Sequence, residues 1–198
     1  LKLMPNLFKD FFDNPTSPLG TIKCSPWHYK DNTILMGDAA HAIVPFYGQG
    51  MNASFEDVVE FDKHLDNHEG DWEATFKAYE KSRKKDTDAI ADLAIDNFHE
   101  MKDHVSSAIF KEKRKLEMAL EQNFPNEYSS KYSLVTFNEN IGYNEAMTKG
   151  RAQDKAILNM IADNEMDLSG DLKDILKRVQ QETNEILEED KVAKTMHH

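Results

Sequence analysis

The chain has 198 residues, with 24 Lys and Arg against 36 Asp and Glu and a net charge of −12. That length supports one sizeable core or a core with an extension, and the acidic balance argues against a nucleic-acid surface, which needs clustered cations. With mean hydropathy of −0.69, no window approaches the roughly 18 consecutive apolar residues of a membrane span. Cys24 is the single cysteine and has no partner for an internal disulfide.

In chain order, Leu1-Lys2-Leu3-Met4 reads as the middle of an element, with no signal-peptide pattern before it. Leu3, Leu7, Phe8, Phe11 and Phe12 fall at helical spacing as far as the Asn14-Pro15 breaker. Thr21 to Tyr29 reads as a strand interrupted at Pro26, with Cys24 as a small packed residue in it. Lys30-Asp31-Asn32 turns into a second strand, Thr33 to Met36.

Residues 33–57 carry the richest local signal. An apolar strand runs into Gly37-Asp38, a loop follows with Pro45, Gly48 and Gly50, and a helix is expected from Asn52 with Ser54 and Asp57 as a capping pair. Asp38 at a strand end accepts hydrogen bonds from hydroxyl groups and repels bare phosphate. The glycines admit a planar ligand to the backbone, and the helix start offers free N–H groups with about half a positive charge. A polyol chain beside a ring that gains negative charge, as in a reduced flavin, satisfies both ends. The plain alternative is an ordinary strand–loop–helix connection.

Beyond the loop, Phe55, Val58, Val59, Phe61 and Leu65 supply an apolar helix side that ends at Gly70. Trp72, Phe76 and Tyr79 start the next helix, and Lys81-Ser82-Arg83-Lys84-Lys85 reads as its solvated basic end. A further helix places Asn97 in a stripe with Ile90, Ala94, Met101 and Val105. An amide there needs a structural partner or a ligand, because an unpaired one costs about 1–3 kcal/mol. Ile109 to Phe124 is amphipathic and closes at Pro125, whereas Tyr132 to Phe137 is β-prone. Residues 139–165 and 170–189 read as two helices with narrow apolar stripes under acidic faces, able to pack on the main body or on another chain. His64 and His68 sit four apart but lack the Glu and third ligand of a zinc pattern, so no metal is expected. The ending Met196-His197-His198 reads as the start of a purification tag, so both ends suggest a trimmed chain.

Gly37-Asp38-Ala39-Ala40-His41, Pro45 and Gly48-Gln49-Gly50-Met51-Asn52 together resemble the second flavin motif of the FAD-dependent aromatic hydroxylases. The run from Ala42 to Asn52 closely resembles the branch that acts on L-kynurenine. The resemblance implies an α/β fold: the C-terminal part of a para-hydroxybenzoate-hydroxylase-like FAD-binding fold, mostly α-helical here with a few strands. It implies residues 1–68 as the remainder of the FAD and substrate domain, and 69–198 as a helical region over the substrate site. Asp38 would bind the flavin ribitol, Met51 and Asn52 would meet the ring through backbone, and Gly48, Gln49 and Gly50 would form the loop against it. Pro45 and Phe46 would lie where substrate meets flavin, and Asn97 and Tyr132 would bind the amino-acid end of kynurenine.

The implied reaction uses NADPH, O2 and FAD to hydroxylate L-kynurenine at ring position 3, in tryptophan degradation and NAD biosynthesis, with no side-chain catalyst because the chemistry sits on the flavin. The sequence departs from the family in lacking a Gly-x-Gly-x-x-Gly loop, so the resemblance also implies dependence on an N-terminal half in another chain. A eukaryotic member would sit at the mitochondrial outer membrane facing the cytosol, a bacterial one in the cytoplasm. Two alternatives stay open: a non-catalytic helical interaction module, and a related FAD monooxygenase with another aromatic substrate.

Overall fold

The computed structural model describes residues 3–104, 107–162 and 170–196. It is mostly helical, as expected. The elements run α1 (Leu7–Asp13), β1 (His28–Tyr29), β2 (Thr33–Ile34), α2 (Asp38–His41), α3 (Gly50–Asn67) and α4 (Trp72–His99). A π-helical turn (Glu100–His104) follows, then α5 (Ala108–Asn123), α6 (Lys131–Thr136), α7 (Tyr143–Ala162) and α8 (Leu172–Met196).

The strands are shorter than the sequence suggests. β1 and β2 form an antiparallel pair with His28 opposite Ile34 and Tyr29 opposite Thr33. The Thr21–Trp27 stretch is not a strand. Pro26 has no N–H for a ladder, and the segment instead spends its bonds singly: Ile22 N–H on the Ala42 carbonyl at 2.8 Å and Cys24 N–H on that of Ala40 at 3.4 Å. Cys24 packs beside Trp27, Ala40 and Tyr79, the small packed residue expected of it.

The basic run is no helix end. α4 continues through Lys81–Lys85 for 28 residues, about 42 Å at 1.5 Å per residue, and takes Asn97 with it. It continues because Thr87, Ala89, Ile90, Ala91, Leu93 and Ala94 keep a buried stripe going past the charges. α4 lies between α3 and α7, and α7 in turn carries α5, α6 and α8. One core joins Tyr47, Ala53, Ala89, Ile90, Leu93, Leu134, Val135, Tyr143 and Ala146. A second joins Leu116, Leu120, Tyr128, Ile157, Met160, Ile175, Leu176 and Val179. The apolar stripe of α8 is thus used up against its own chain.

The β-prone run Tyr132–Phe137 is helical as far as Thr136, with Phe137 as the C-cap. Ser130 Oγ accepts from Ser133 N–H at 3.4 Å as the cap, and Leu134 and Val135 are buried. α6 meets α7 so closely that a Cβ on Gly150 would stand 2.6 Å from Lys131 Cγ and 3.1 Å from its Cα. Burial beneath α7 decides helix over strand. Val105 of the expected Asn97 stripe lies outside the described residues, and Met101 is exposed.

Candidate functional site

The site is built where α2, the following loop and the start of α3 meet α4. Gly37 has φ of +56°, a conformation that glycine takes without strain, and the chain then makes the single turn Asp38–His41. Asp38 is exposed, as are Pro45, Gly48, Met51 and Asn52. Gly50 lies partly covered and Gln49 is buried, with its Oε1 accepting from Asn52 Nδ2 at 2.6 Å. The sequence pattern places the helix start near Asn52, but it lies at Gly50, because Ala53 N–H already reaches the Gln49 carbonyl at 2.9 Å. The N–H groups of Gly50, Met51 and Asn52 precede that first intrahelical bond, and no side chain caps them.

The expected Ser54–Asp57 cap is wrong on both counts. Ser54 sits inside the helix and donates to the Gly50 carbonyl at 3.0 Å. Asp57 is fully buried in a charge cluster that the sequence reading missed. Its Oδ2 accepts from Gly37 N–H at 3.0 Å and lies 2.5 Å from His41 Nε2, while Oδ1 accepts from Arg83 Nε at 2.8 Å. Arg83 also donates to the Ala53 carbonyl at 3.1 Å and pairs with Glu56 at 3.1 Å. Burial alone would raise the Asp57 carboxyl, but the bonds from His41 and Arg83 prevail and hold it below the usual range. The signal available in sequence was the lone Arg among lysines in the basic run, since guanidinium suits a buried fork and ammonium does not.

The three residues expected near substrate converge on the same loop. Asn97 Nδ2 donates to the Phe46 carbonyl at 2.6 Å, and the Phe46 ring lies 4.8 Å from that of Phe98. Tyr132, exposed to 44%, stacks on the buried Tyr47 at 5.8 Å with 19° between the planes. So Asn97 has a structural partner, and its Oδ1 is left to accept from another donor. Burial raises the Tyr47 phenol well above its ordinary range, ahead of the opposing pull of Lys131, so it stays neutral.

Behind Tyr47 lies a second missed cluster. Lys131 pairs with Glu100 and, at 2.6 Å, with Asp154, and Lys113 holds Asp154 at 2.7 Å and Glu117 at 2.9 Å. Arg114 reaches Glu117 at 2.7 Å. Burial would raise Asp154, but the two ammonium groups outweigh it and lower it; Glu117 goes the other way, with burial prevailing.

The donor set suits a flavin. Gly48 and Gly50 have open space where a Cβ would stand, so neither is required by packing within the chain, and both fit a ligand lying against the loop. The uncapped N–H groups of the α3 start adjoin that space, and Asp38 stands exposed on the preceding turn. No group of three or more metal-ligating side chains occurs among the described residues. His64 instead contacts Ser82 Oγ at 3.0 Å, and His68 Nδ1 the His64 carbonyl at 2.7 Å. No helix among the described residues is long and apolar enough to cross a membrane.

Comparison with known proteins bears on the same residues. Residues 16–94 match the FAD binding domain family, a span that includes Asp38, the glycine loop, Asp57 and Arg83 and stops short of Asn97. A kynurenine 3-monooxygenase of Dictyostelium discoideum is 49% identical over 150 residues, covering 69% of this chain and 32% of that protein. One from Legionella pneumophila is 45% identical over 150 residues, covering 76% and 33%. One from Flavobacterium psychrophilum is 40% identical over 182 residues, covering 92% and 40%. The chain is therefore a relative of the kynurenine 3-monooxygenases, spanning 32% to 40% of the length of these three proteins.

Proposed function

We propose that this chain supplies the ribitol-, ring- and substrate-facing part of an FAD monooxygenase of para-hydroxybenzoate-hydroxylase-like fold. The enzyme converts L-kynurenine to 3-hydroxykynurenine with NADPH and O2, and works only together with an N-terminal half that binds the rest of FAD. In this reading residues 1–68 complete the flavin domain, and 69–198 form the helical cover of the substrate site. The observation that carries it is the convergence of Asn97 and Tyr132 on the loop that runs from Pro45 to Asn52, which ties the substrate-facing side chains to the flavin-facing backbone.

FAD, when bound, supplies the oxygen-transfer chemistry. The chain's own residues do the rest. Asp38 accepts from ribitol hydroxyls, and the N–H groups at the start of α3 face the ring edge that becomes negative on reduction. Gly48, Gln49 and Gly50 keep backbone against the ring, Pro45 and Phe46 adjoin the substrate, and Phe46 with Phe98 gives an apolar wall that excludes water. Asn97 Oδ1 and the Tyr132 hydroxyl are the polar points for the amino-acid end of kynurenine.

The test is NADPH oxidation by this chain assembled with the N-terminal half, with and without L-kynurenine. Stimulation by kynurenine with matching 3-hydroxykynurenine is expected. Flavin-dependent oxidation indifferent to kynurenine would point to another aromatic substrate, and a colourless, inactive assembly to an interaction module. The α8 stripe is covered by α5 and α7 and is not open to another chain, while its acidic face stays exposed.

A further inference from the structure

We propose that Asp57 is a positioning residue for flavin binding: its one carboxylate fixes Asp38 relative to the start of α3. The proposal rests on the flavin reading above and names a residue that does not itself touch the cofactor. Asp38 is expected to meet ribitol, and the N–H groups of Gly50, Met51 and Asn52 the ring. Both must therefore hold a set separation, although the rest of α2 and the whole glycine loop lie between Asp38 and Gly50.

The geometry shows how that separation is held. Gly37 is pinned on both of its peptide groups. Its carbonyl accepts from Ala40 N–H and His41 N–H, each at 2.9 Å, and its N–H donates to Asp57 Oδ2 at 3.0 Å. The same oxygen lies 2.5 Å from His41 Nε2. Asp57 Oδ2 therefore grips the turn at Gly37, just before it, and at its last residue, His41, with Asp38 between them and exposed. Asp38 itself makes no side-chain hydrogen bond among the described residues, so the turn alone aims it.

The carboxylate is fixed in rotation from its other side. Arg83 Nε holds Oδ1 at 2.8 Å, and a second guanidinium nitrogen holds the Ala53 carbonyl at 3.1 Å, in the first turns of α3. Asp57 and Ala53 belong to the same rigid helix as the uncapped N–H groups. Its backbone thus serves as the ruler between the ribitol acceptor and the ring-facing helix start. Ser54 adds a stop, since a Cβ at Gly37 would lie 3.2 Å from its Oγ.

The experiment compares wild type, Asp57→Asn, Arg83→Lys and Asp38→Asn, each assembled with the N-terminal half. The readouts are FAD affinity by quenching of flavin fluorescence and amide hydrogen exchange at Gly37 and at Leu93 and Ala156. Asn at 57 keeps the shape but turns one acceptor into a donor. The expected result is FAD binding weakened about tenfold or more, approaching Asp38→Asn, from the loss of a charge-assisted bond. Faster exchange at Gly37 should accompany it, with Leu93 and Ala156 unchanged. Arg83→Lys keeps the charge without the fork and should fall between, which preserves the test if Asp57→Asn does not fold. Folded Asp57→Asn that binds FAD like wild type, or keeps Gly37 protected, would overturn the proposal alone. A wild-type assembly that takes up no FAD would overturn the flavin reading and this role with it.

Discussion

The two buried charge clusters are made of similar parts and hold different things. Around Asp57, one carboxylate gathers Gly37 N–H, His41 and Arg83, and two of those ties end on the turn that presents Asp38. Around Asp154, one carboxylate gathers Lys113 and Lys131, and every tie ends on helix: α5, α6, or the π-helical turn through Glu100. The first cluster lies at the rim of an open apolar surface, where Met51, Phe55, Val58 and Val59 are 55% to 67% exposed. The second lies among closed helices, its lysines 5% and 8% exposed. A buried ion is costly unless its partners are complete. The chain meets that cost once to hold the turn that carries Asp38 and once to join helices. Only the first should show in ligand affinity.

The largest expected effect falls on the helical cluster. Asp154→Ala leaves two buried ammonium groups short of a partner and should cost about 3–5 kcal/mol in urea unfolding. Gly150→Ala should follow at about 1–3 kcal/mol, because the added methyl meets Lys131 and its backbone. A loss no larger than a surface mutation would mean that α6 and α7 do not approach as described.

Acid sharpens the contrast inside that cluster. Asp154 and Asp57 are held low, so their stabilisation is present above the unfolded carboxylate value, about 4, and is lost as pH falls through their folded values. Glu117 is pushed up by burial, and so contributes stability only where it is protonated. Unfolding followed against pH should therefore show Asp154→Asn with a flattened acid limb. Glu117→Gln should keep that limb and cost less at neutral pH. Equal costs for the two would mean that Glu117 and Asp154 are not set apart.

On the binding side, Asn97→Ala should weaken L-kynurenine by about tenfold while FAD retention changes little. Equal loss of both would confine Asn97 to holding the Phe46 carbonyl. The smallest effect is expected from Val58→Ser on the open face of α3, within about 0.5 kcal/mol of wild type in the isolated chain.

The glycine loop and helices α5, α7 and α8 were legible in the sequence because each depends on local pattern: turn residues, or apolar positions at helical period. What escaped depends on long-range burial. Phe55, Val58 and Val59 looked like the packed side of α3, yet Ala53 and Asp57 are the buried ones, since the small alanine lets α4 approach and Arg83 follows Asp57 inward. The Lys81–Lys85 run looked like a helix end for the same reason. Tyr132–Phe137 carries β-branched residues but lies under α7, where the Ser130 cap and Gly150 decide its form. Asn97 was singled out as an amide in an apolar stripe. Its partner, a loop carbonyl 51 residues away, has no local trace.

The proposed division of the flavin site between two chains is tested by the visible absorption spectrum after incubation with FAD and gel filtration, for the chain alone, the N-terminal half alone, and both together. The assembled pair should retain a flavin band that exceeds the sum of the separate pieces and weakens with Asp38→Asn. A colourless pair, or a band unchanged by Asp38→Asn, would contradict it.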